Sequence, residues 1–163
     1  MNTHILRLTL AALALNLCAC TSFDREWALW SQTTPALLRK RVPPPTPQSP
    51  FDGRWVGRWT SERHHKLFSR DAESGTVRCV FTKMDPYRYR AHFRATWLNF
   101  RTDHLATLNG KQRGSTLHLH GSQPVSELFG GSYRYDGTVT PNRFSLRYDS
   151  KYDSGTMEMR KLR

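Results

Sequence analysis

The sequence predicts an all-β domain, an antiparallel up-and-down barrel of about eight strands that follows a signal peptide and a proline-rich tether. Three observations over residues 51–163 predict it: apolar and polar residues alternate in short segments, turn-forming residues separate the segments, and no helical period interrupts them. Short turns make neighbouring strands antiparallel, and their one-sided apolar faces need cover. Closing the sheet on itself supplies that cover and removes exposed edges. A two-sheet sandwich is the alternative.

The first twenty residues indicate export from the cytoplasm. A single arginine precedes an apolar run over residues 8–17, and the motif Leu-Cys-Ala-Cys ends at Cys20. This run is too short to span a bilayer, so it predicts a cleavable signal peptide over residues 1–19. The motif resembles the lipobox of bacterial lipoproteins, which implies that Cys20 is lipidated. Because Thr21 follows Cys20 where inner-membrane retention needs Asp, the resemblance implies a lipid anchor at the periplasmic face of the outer membrane. An ordinary secretory signal is the alternative.

Residues 20–50 are predicted to form a tether. Three rings spaced three to four residues apart would share one face of a short helix: Phe23, Trp27 and Trp30. They either lie at the membrane interface or pack on the domain. Five prolines in residues 43–50 enforce an extended polyproline II conformation. The folded domain is therefore predicted to occupy residues 51–163.

The first strand of that domain is predicted over residues 53–62, and its two faces differ. Gly53, Trp55, Gly57 and Trp59 point to one side, whereas Arg54 and Arg58 point to the other. The later segments repeat this division into an apolar face and a polar or basic face. They cover residues 75–83, 87–97, 104–108, 116–121, 131–139, 143–148 and 156–162, and Asn109-Gly110 is predicted as the hairpin turn after the fourth strand.

A Gly-x-Trp in the first strand and an Arg near the end of the last strand give the domain a family resemblance. The pattern resembles the calycins, which comprise lipocalins, fatty-acid-binding proteins and avidin. The resemblance implies that Trp55 closes one end of the barrel, that Arg160 packs across it, and that the interior holds a ligand. The chain departs from the family by a second Gly-Arg-Trp at residues 57–59 and by lacking the Thr-Asp-Tyr element of lipocalins.

The aromatic face is interpreted as the wall of a ligand pocket. Rings with polar tips suit a small apolar or amphipathic guest. The predicted ligand-binding residues are Trp59, Tyr87, Tyr89, Phe93, Trp97, Tyr133 and Tyr135. Alternatively, these rings simply fill the interior, since an eight-stranded barrel is only just wide enough to be filled by side chains. The leading functional hypothesis is noncatalytic binding of such a ligand in the cell envelope.

The basic face supports a second hypothesis, of a structural or interaction module. The formal net charge of +12 favours anionic partners. In the envelope these are anionic polymers, lipid headgroups or a protein partner, and nucleic acid is not expected. The predicted anion-binding residues are Arg54, Arg58, Arg78, Arg88, Arg90 and Arg94.

No catalytic, metal or cofactor motif emerges from the sequence. It contains no Gly-x-Ser-x-Gly elbow, and no close pair of carboxylates lies in an apolar strand. His118 and His120 share a strand face but have no Asp, Glu or Cys at ligand spacing. After signal cleavage and lipidation, Cys79 lacks an intramolecular partner and is predicted to be a buried, inert thiol. The chain is therefore predicted not to be an enzyme.

Overall fold

A computed structural model describes residues 22–31, 45–62, 74–98, 100–124 and 131–163, with the side chain of residue 100 excepted. The signal peptide and the lipidation site Cys20 lie outside these ranges and stay predictions. The chain divides into two compact units, residues 1–45 and residues 46–163. In the first unit, residues 22–29 form helix α1, and the rings of Phe23 and Trp27 stack with centroids 5.6 Å apart. No helix in the described ranges is both long and apolar enough to cross a membrane.

The second unit is a closed antiparallel barrel, which confirms the predicted fold class. Each strand pairs with its neighbours in sequence order, and β1 also pairs with β8. The strands are β1 (Gly53–Ser61), β2 (Ser74–Lys83), β3 (Arg88–Trp97), β4 (Phe100–Arg113), β5 (Thr116–Pro124), β6 (Ser132–Val139), β7 (Arg143–Asp149) and β8 (Ser154–Lys161). The alternation of apolar and polar residues therefore locates all eight strands.

One end of the barrel, here called the closed end, is filled by aromatic side chains. It is formed by Phe51, Trp55, Phe81, Tyr89 and Phe144, which are all buried. Phe144 is the centre of this cluster, with ring centroids 5.6 Å from Trp55 and 5.1 Å from Phe81. The indole Nε1 of Trp55 donates to the carbonyl oxygen of Phe51 at 3.1 Å. Trp55 thus occupies the end-closing position that the calycin resemblance implies.

The basic partner of Trp55 is Lys161, not Arg160 as the calycin resemblance implied. Arg160 stands opposite Val56 in the β1–β8 ladder and is exposed on the outer face, whereas Lys161 stands opposite Trp55. The Lys161 Nζ lies 5.7 Å from the Trp55 ring centroid and donates to the carbonyl of Pro50 at 2.5 Å. Because successive strand residues face opposite sides, a shift of one position exchanges inside for outside.

The prediction of a hairpin turn at Asn109-Gly110 is also wrong. Strand β4 runs through both residues, and the turn to β5 comes at Gly114, whose φ of 59° favours glycine. Gly110 faces the interior beneath Tyr89, and a Cβ there would lie 2.5 Å from the Tyr89 Cε2 atom. The glycine therefore makes room for a ring of the closed end instead of forming a turn.

The chain enters the barrel at the closed end through a turn held by Asp52. Its buried carboxylate accepts hydrogen bonds from the backbone N–H groups of Gln48, Ser49 and Lys83 at 2.7, 3.0 and 2.8 Å. The Ser49 hydroxyl donates to the same carboxylate at 2.7 Å. Gln48 and Ser49, which were predicted to belong to the tether, are therefore attached to the barrel.

Candidate ligand-binding cavity

The end of the barrel opposite Trp55, here called the cavity end, contains a recess of about 360 Å³. Seven strands or turns contribute to its wall, so the recess lies at the mouth of the barrel. The residues that surround it are Trp59, Phe93, Ala95, Thr102, Asp103, His104, Tyr133, Tyr135, Tyr148, Asp153 and Met157. Its volume falls within the range of about 300–1,000 Å³ that is usual for small-molecule pockets.

Ring contacts hold the tyrosines of the wall in a connected series. The centroids of Phe93 and Tyr135 are 6.1 Å apart, those of Tyr133 and Tyr135 are 6.3 Å apart, and those of Tyr133 and Tyr148 are 6.0 Å apart. Their positions follow from the pleat, because Tyr133 and Tyr135 are alternate residues of β6, and Tyr148 stands opposite Tyr135 on β7. The series presents rings with polar tips towards the recess.

Trp59 closes the wall between β1 and β3. Its indole crosses β2 at Gly75, and its Nε1 donates to the carbonyl oxygen of Thr96 at 3.2 Å. A Cβ at Gly75 would lie 2.6 Å from that Nε1 atom and 1.9 Å from the Thr96 oxygen. The glycine therefore leaves room for the tryptophan ring to reach the Thr96 carbonyl.

His104 contributes a polar atom with no partner. Its Nε2 is shielded from solvent and makes no hydrogen bond. The imidazole lies 5.9 Å, centroid to centroid, from each of Tyr133 and Tyr135. Burial, followed by the nearby His92, lowers the pKa of His104 from its ordinary value of 6.5. The imidazole is therefore neutral at neutral pH and leaves one hydrogen-bonding position unused beside the recess.

Asp153 places a carboxylate at the rim. It belongs to the turn between β7 and β8, which the Ser150 hydroxyl closes by donating to the Asp153 carbonyl at 2.9 Å. The carboxylate accepts hydrogen bonds from the Ser61 hydroxyl at 2.7 Å and from the Tyr148 hydroxyl at 3.2 Å. Burial and the charge of Asp153 raise the pKa of Tyr133 and of Tyr148. Both phenols therefore keep their protons at neutral pH.

A buried ion pair supports the wall from behind. Arg94 and Asp103 face each other across β3 and β4, and the side chain of each is 5 % exposed. The Arg94 Nε and Nη2 atoms donate to the two carboxylate oxygens of Asp103 at 2.6 and 2.8 Å. This bidentate pair joins the strands that carry Phe93 and His104.

The predicted ligand-binding residues fall into two groups. Trp59, Phe93, Tyr133 and Tyr135 surround the recess. The other three lie elsewhere: Tyr89 stacks on Phe81 in the closed end, Tyr87 is 72 % exposed in the turn before β3, and Trp97 is half-buried at the end of β3. The structure thus brings four of the seven rings together.

Several residues of the wall escaped prediction from the sequence. His104 begins the predicted segment 104–108, and Asp153 lies between the predicted segments 143–148 and 156–162. The alternation His104, Ala106, Leu108 does carry a signal for the inner face of β4. No local signal marks Asp153, because its position depends on Ser61, a residue far away in sequence that the barrel closure brings near.

The predicted anion-binding arginines all lie on the outer face of β1–β3, but their surroundings differ. Arg58 and Arg78 are exposed. Arg88 is paired with Asp85 at 2.5 Å, and burial lowers the pKa of Arg54. Arg90 is half-buried, and Arg94 is buried in the pair described above. The guanidinium of Arg94 is thus turned towards Asp103 instead of solvent, and anion binding by the others stays a prediction.

A second, more open recess of about 500 Å³ is bordered by residues of β4, β5, β6 and β7. Several of these residues are exposed on the outer face, including His120, Arg134 and Asp136. Tyr135 and Tyr148 border both this recess and the cavity.

Within the described ranges, no three His, Cys, Asp or Glu side chains come together in a cluster that could hold a metal ion. His118 and His120 are exposed on the outer face of β5. Cys79 is a buried free thiol on the inner face of β2.

Comparison with known proteins identifies a fold and no family. No protein-family model matches the chain, and no curated protein matches it. A crystal structure of Rv2717c from M. tuberculosis is similar, with a TM-score of 0.50 and 10 % sequence identity over 71 % of this chain and 94 % of that chain. At this identity the likeness shows the small β-barrel fold alone.

Proposed function

We propose that the barrel binds a small amphipathic molecule with an apolar body at its cavity end, without transforming it. The observation that carries the proposal is the recess of about 360 Å³, whose wall combines aromatic rings with His104, a residue whose Nε2 is buried without a partner. A buried polar atom without a partner costs roughly 1–3 kcal/mol. A ligand that supplies a hydrogen bond to His104 would offset this cost.

The contrast with the rest of the interior supports the same proposal. The closed end buries its rings against one another, whereas Trp59, Tyr133 and Met157 at the cavity end are only partly buried. Rings that are only partly buried provide apolar contact area, and their polar atoms provide hydrogen-bonding positions. This combination suits recognition of one orientation of a guest.

A fluorescent, neutral and largely apolar compound such as N-phenyl-1-naphthylamine tests the proposal. We expect its emission to rise in a saturable way with the full chain. Ala95→Phe would place a ring in the recess and abolish the rise, whereas Thr107→Phe, at an exposed position on the outer face of β4, would leave it unchanged. Equal binding to both variants, or no saturable binding of any compound in a chemically broad panel, would contradict the proposal.

We further propose that the barrel acts in the bacterial envelope, attached through a lipid on Cys20. Support comes from the lipobox-like motif that ends at Cys20. Mass spectrometry of the mature N-terminus in a bacterial host tests the attachment. Cys20→Ser should remove the acyl mass and release the protein from membranes, whereas Cys18→Ser should leave both properties intact. An unmodified Cys20 in the native chain would overturn the assignment.

A further inference from the structure

We infer that the cavity selects organic cations, such as a quaternary or protonated tertiary amine that carries an apolar group. This inference rests on the proposed binding function and specifies the ligand class. It follows from three features of the cavity: the charges of its wall, the faces of its rings and the protonation state of His104.

The charges of the wall are opposite to those of the chain. The whole protein has a formal net charge of +12, yet no Lys or Arg is among the described residues that surround the recess. The wall contains two carboxylates, and one of them, Asp103, is neutralised by the bidentate contact with Arg94. The other, Asp153, accepts hydrogen bonds from the uncharged hydroxyls of Ser61 and Tyr148. The recess therefore carries one negative charge that a ligand could balance.

No ion pair in the described ranges involves Asp153. The nearby carboxylate of Glu62 does have a cation, since Arg147 contacts it at 2.7 Å. Its two side-chain donors are uncharged hydroxyls, so they do not balance the formal negative charge of the Asp153 carboxylate. The field of this charge reaches the wall, because Asp153 is one of the causes that raise the pKa of Tyr133 and Tyr148.

Five aromatic rings border the recess that this carboxylate lines. The rings that border the recess are those of Trp59, Phe93, Tyr133, Tyr135 and Tyr148. The face of an aromatic ring is the negative end of its quadrupole, and several faces around one space attract a cation that has left water. Quaternary ammonium groups are recognised in this way, since they have no N–H to donate and cannot satisfy ordinary hydrogen-bond acceptors.

The state of His104 is consistent with a cationic guest. Its lowered pKa keeps the imidazole neutral at neutral pH, so it adds no positive charge to the wall. Its unpartnered Nε2 lies beside Tyr133 and Tyr135.

Two probes of equal shape and different charge test the inference on the full chain. Phenyltrimethylammonium is a cation, and tert-butylbenzene is its neutral carbon counterpart. We expect the cation to bind about ten-fold or more tightly than the neutral compound, measured by chemical shifts of the Trp59 indole N–H. A ten-fold ratio lies between the values that are typical of exposed and of desolvated contacts between a cation and an aromatic ring. The anion 4-tert-butylbenzoate should bind more weakly than either.

Asp153→Asn removes the charge while keeping a side chain of the same shape, and Asp136→Asn is the matched control on the exposed outer face of β6. We expect Asp153→Asn to remove most of the preference for the cation and Asp136→Asn to preserve it. Equal binding of the cation and its neutral counterpart, tighter binding of the anion, or an unchanged preference in Asp153→Asn would overturn the inference and leave the proposed pocket intact. Failure of all three compounds and of the neutral naphthylamine to bind would overturn both.

Discussion

The two ends of the barrel both contain clusters of aromatic residues, but the rings are packed more tightly at one end than at the other. At the closed end, Phe144 contacts Trp55 and Phe81 with centroids 5.1–5.6 Å apart, and all three rings are buried. At the cavity end, neighbouring tyrosines are 6.0–6.3 Å apart, and Tyr133 remains half-buried. The closed end is therefore a packed core, whereas the rings of the cavity end border a recess.

Polar groups account for much of this difference. The polar atoms near Trp55 are used, since its Nε1 donates to Phe51 and Lys161 donates to Pro50. At the cavity end, tyrosine hydroxyls resist burial without partners, and the His104 Nε2 has none. The closed end thus packs rings around polar atoms that have partners, whereas the cavity end keeps one buried polar atom that has none.

The largest expected effect is the loss of a ring from the closed end. Phe144→Ala should lower the free energy of unfolding by about 4 kcal/mol, because it removes a buried ring and leaves a cavity. Trp59→Ala, at the cavity end, should cost about half as much, because Trp59 is only partly buried. Urea denaturation measures both changes. Equal losses would mean that the cavity end is packed as tightly as the closed end.

A slightly smaller effect is expected from breaking the ion pair behind the cavity. Asp103→Asn removes the charge of the carboxylate that binds the buried Arg94 guanidinium in bidentate fashion, which should cost about 3 kcal/mol. The double variant Arg94→Met with Asp103→Leu should recover most of this loss, because it removes both charges. Thermal unfolding measures the stability of the single and double variants. A double variant that is less stable than Asp103→Asn would contradict the expected recovery.

Much of this architecture follows from periodicity in the sequence. The eight segments of alternating residues correspond to the eight strands. In a closed barrel every strand pairs on both sides, so alternate residues of each strand face the interior. The prediction of a turn at Asn109-Gly110 was wrong because of a contact between strands. The glycine is required by the Tyr89 ring of a neighbouring strand, and local turn chemistry cannot reveal that contact.

The candidate site was only partly predictable for a similar reason. The alternation of inward and outward side chains along a strand shows that Tyr89 and Tyr135 both face inward. It does not show which end of the barrel each residue reaches. That depends on the register between strands, which places Tyr89 beside Phe81 and Tyr135 beside His104. Asp153 enters the site through barrel closure, since its partner Ser61 lies on the first strand.

A moderate effect should come from Gly110, which lies beneath a ring of the closed end. Gly110→Ala would place a Cβ 2.5 Å from Tyr89 Cε2 and 2.9 Å from Leu117 Cδ1, so the ring must shift. We expect a loss of about 2 kcal/mol and a change in near-ultraviolet circular dichroism, since the stack of Tyr89 on Phe81 is disturbed. Gly114→Ala is the control: its positive φ should cost about 1 kcal/mol without altering that spectrum. Identical spectra for the two variants would argue against the close contact.

The smallest expected effect is a pH dependence of stability that arises at the cavity end. The pKa of His104 is lower in the folded barrel than its ordinary value of 6.5, which applies to the unfolded chain, so the unfolded state binds the proton more readily. The contribution of the neutral imidazole is therefore fully present above about pH 6.5 and is lost progressively as the pH falls through and below that value. His104→Gln should flatten this part of the stability curve, whereas His118→Gln, on the exposed face of β5, should leave it unchanged. Nuclear magnetic resonance titration of the His104 ring measures the same quantity directly. A His104 that titrates at 6.5 or above would show that the wall at the cavity end is as well solvated as the outer surface.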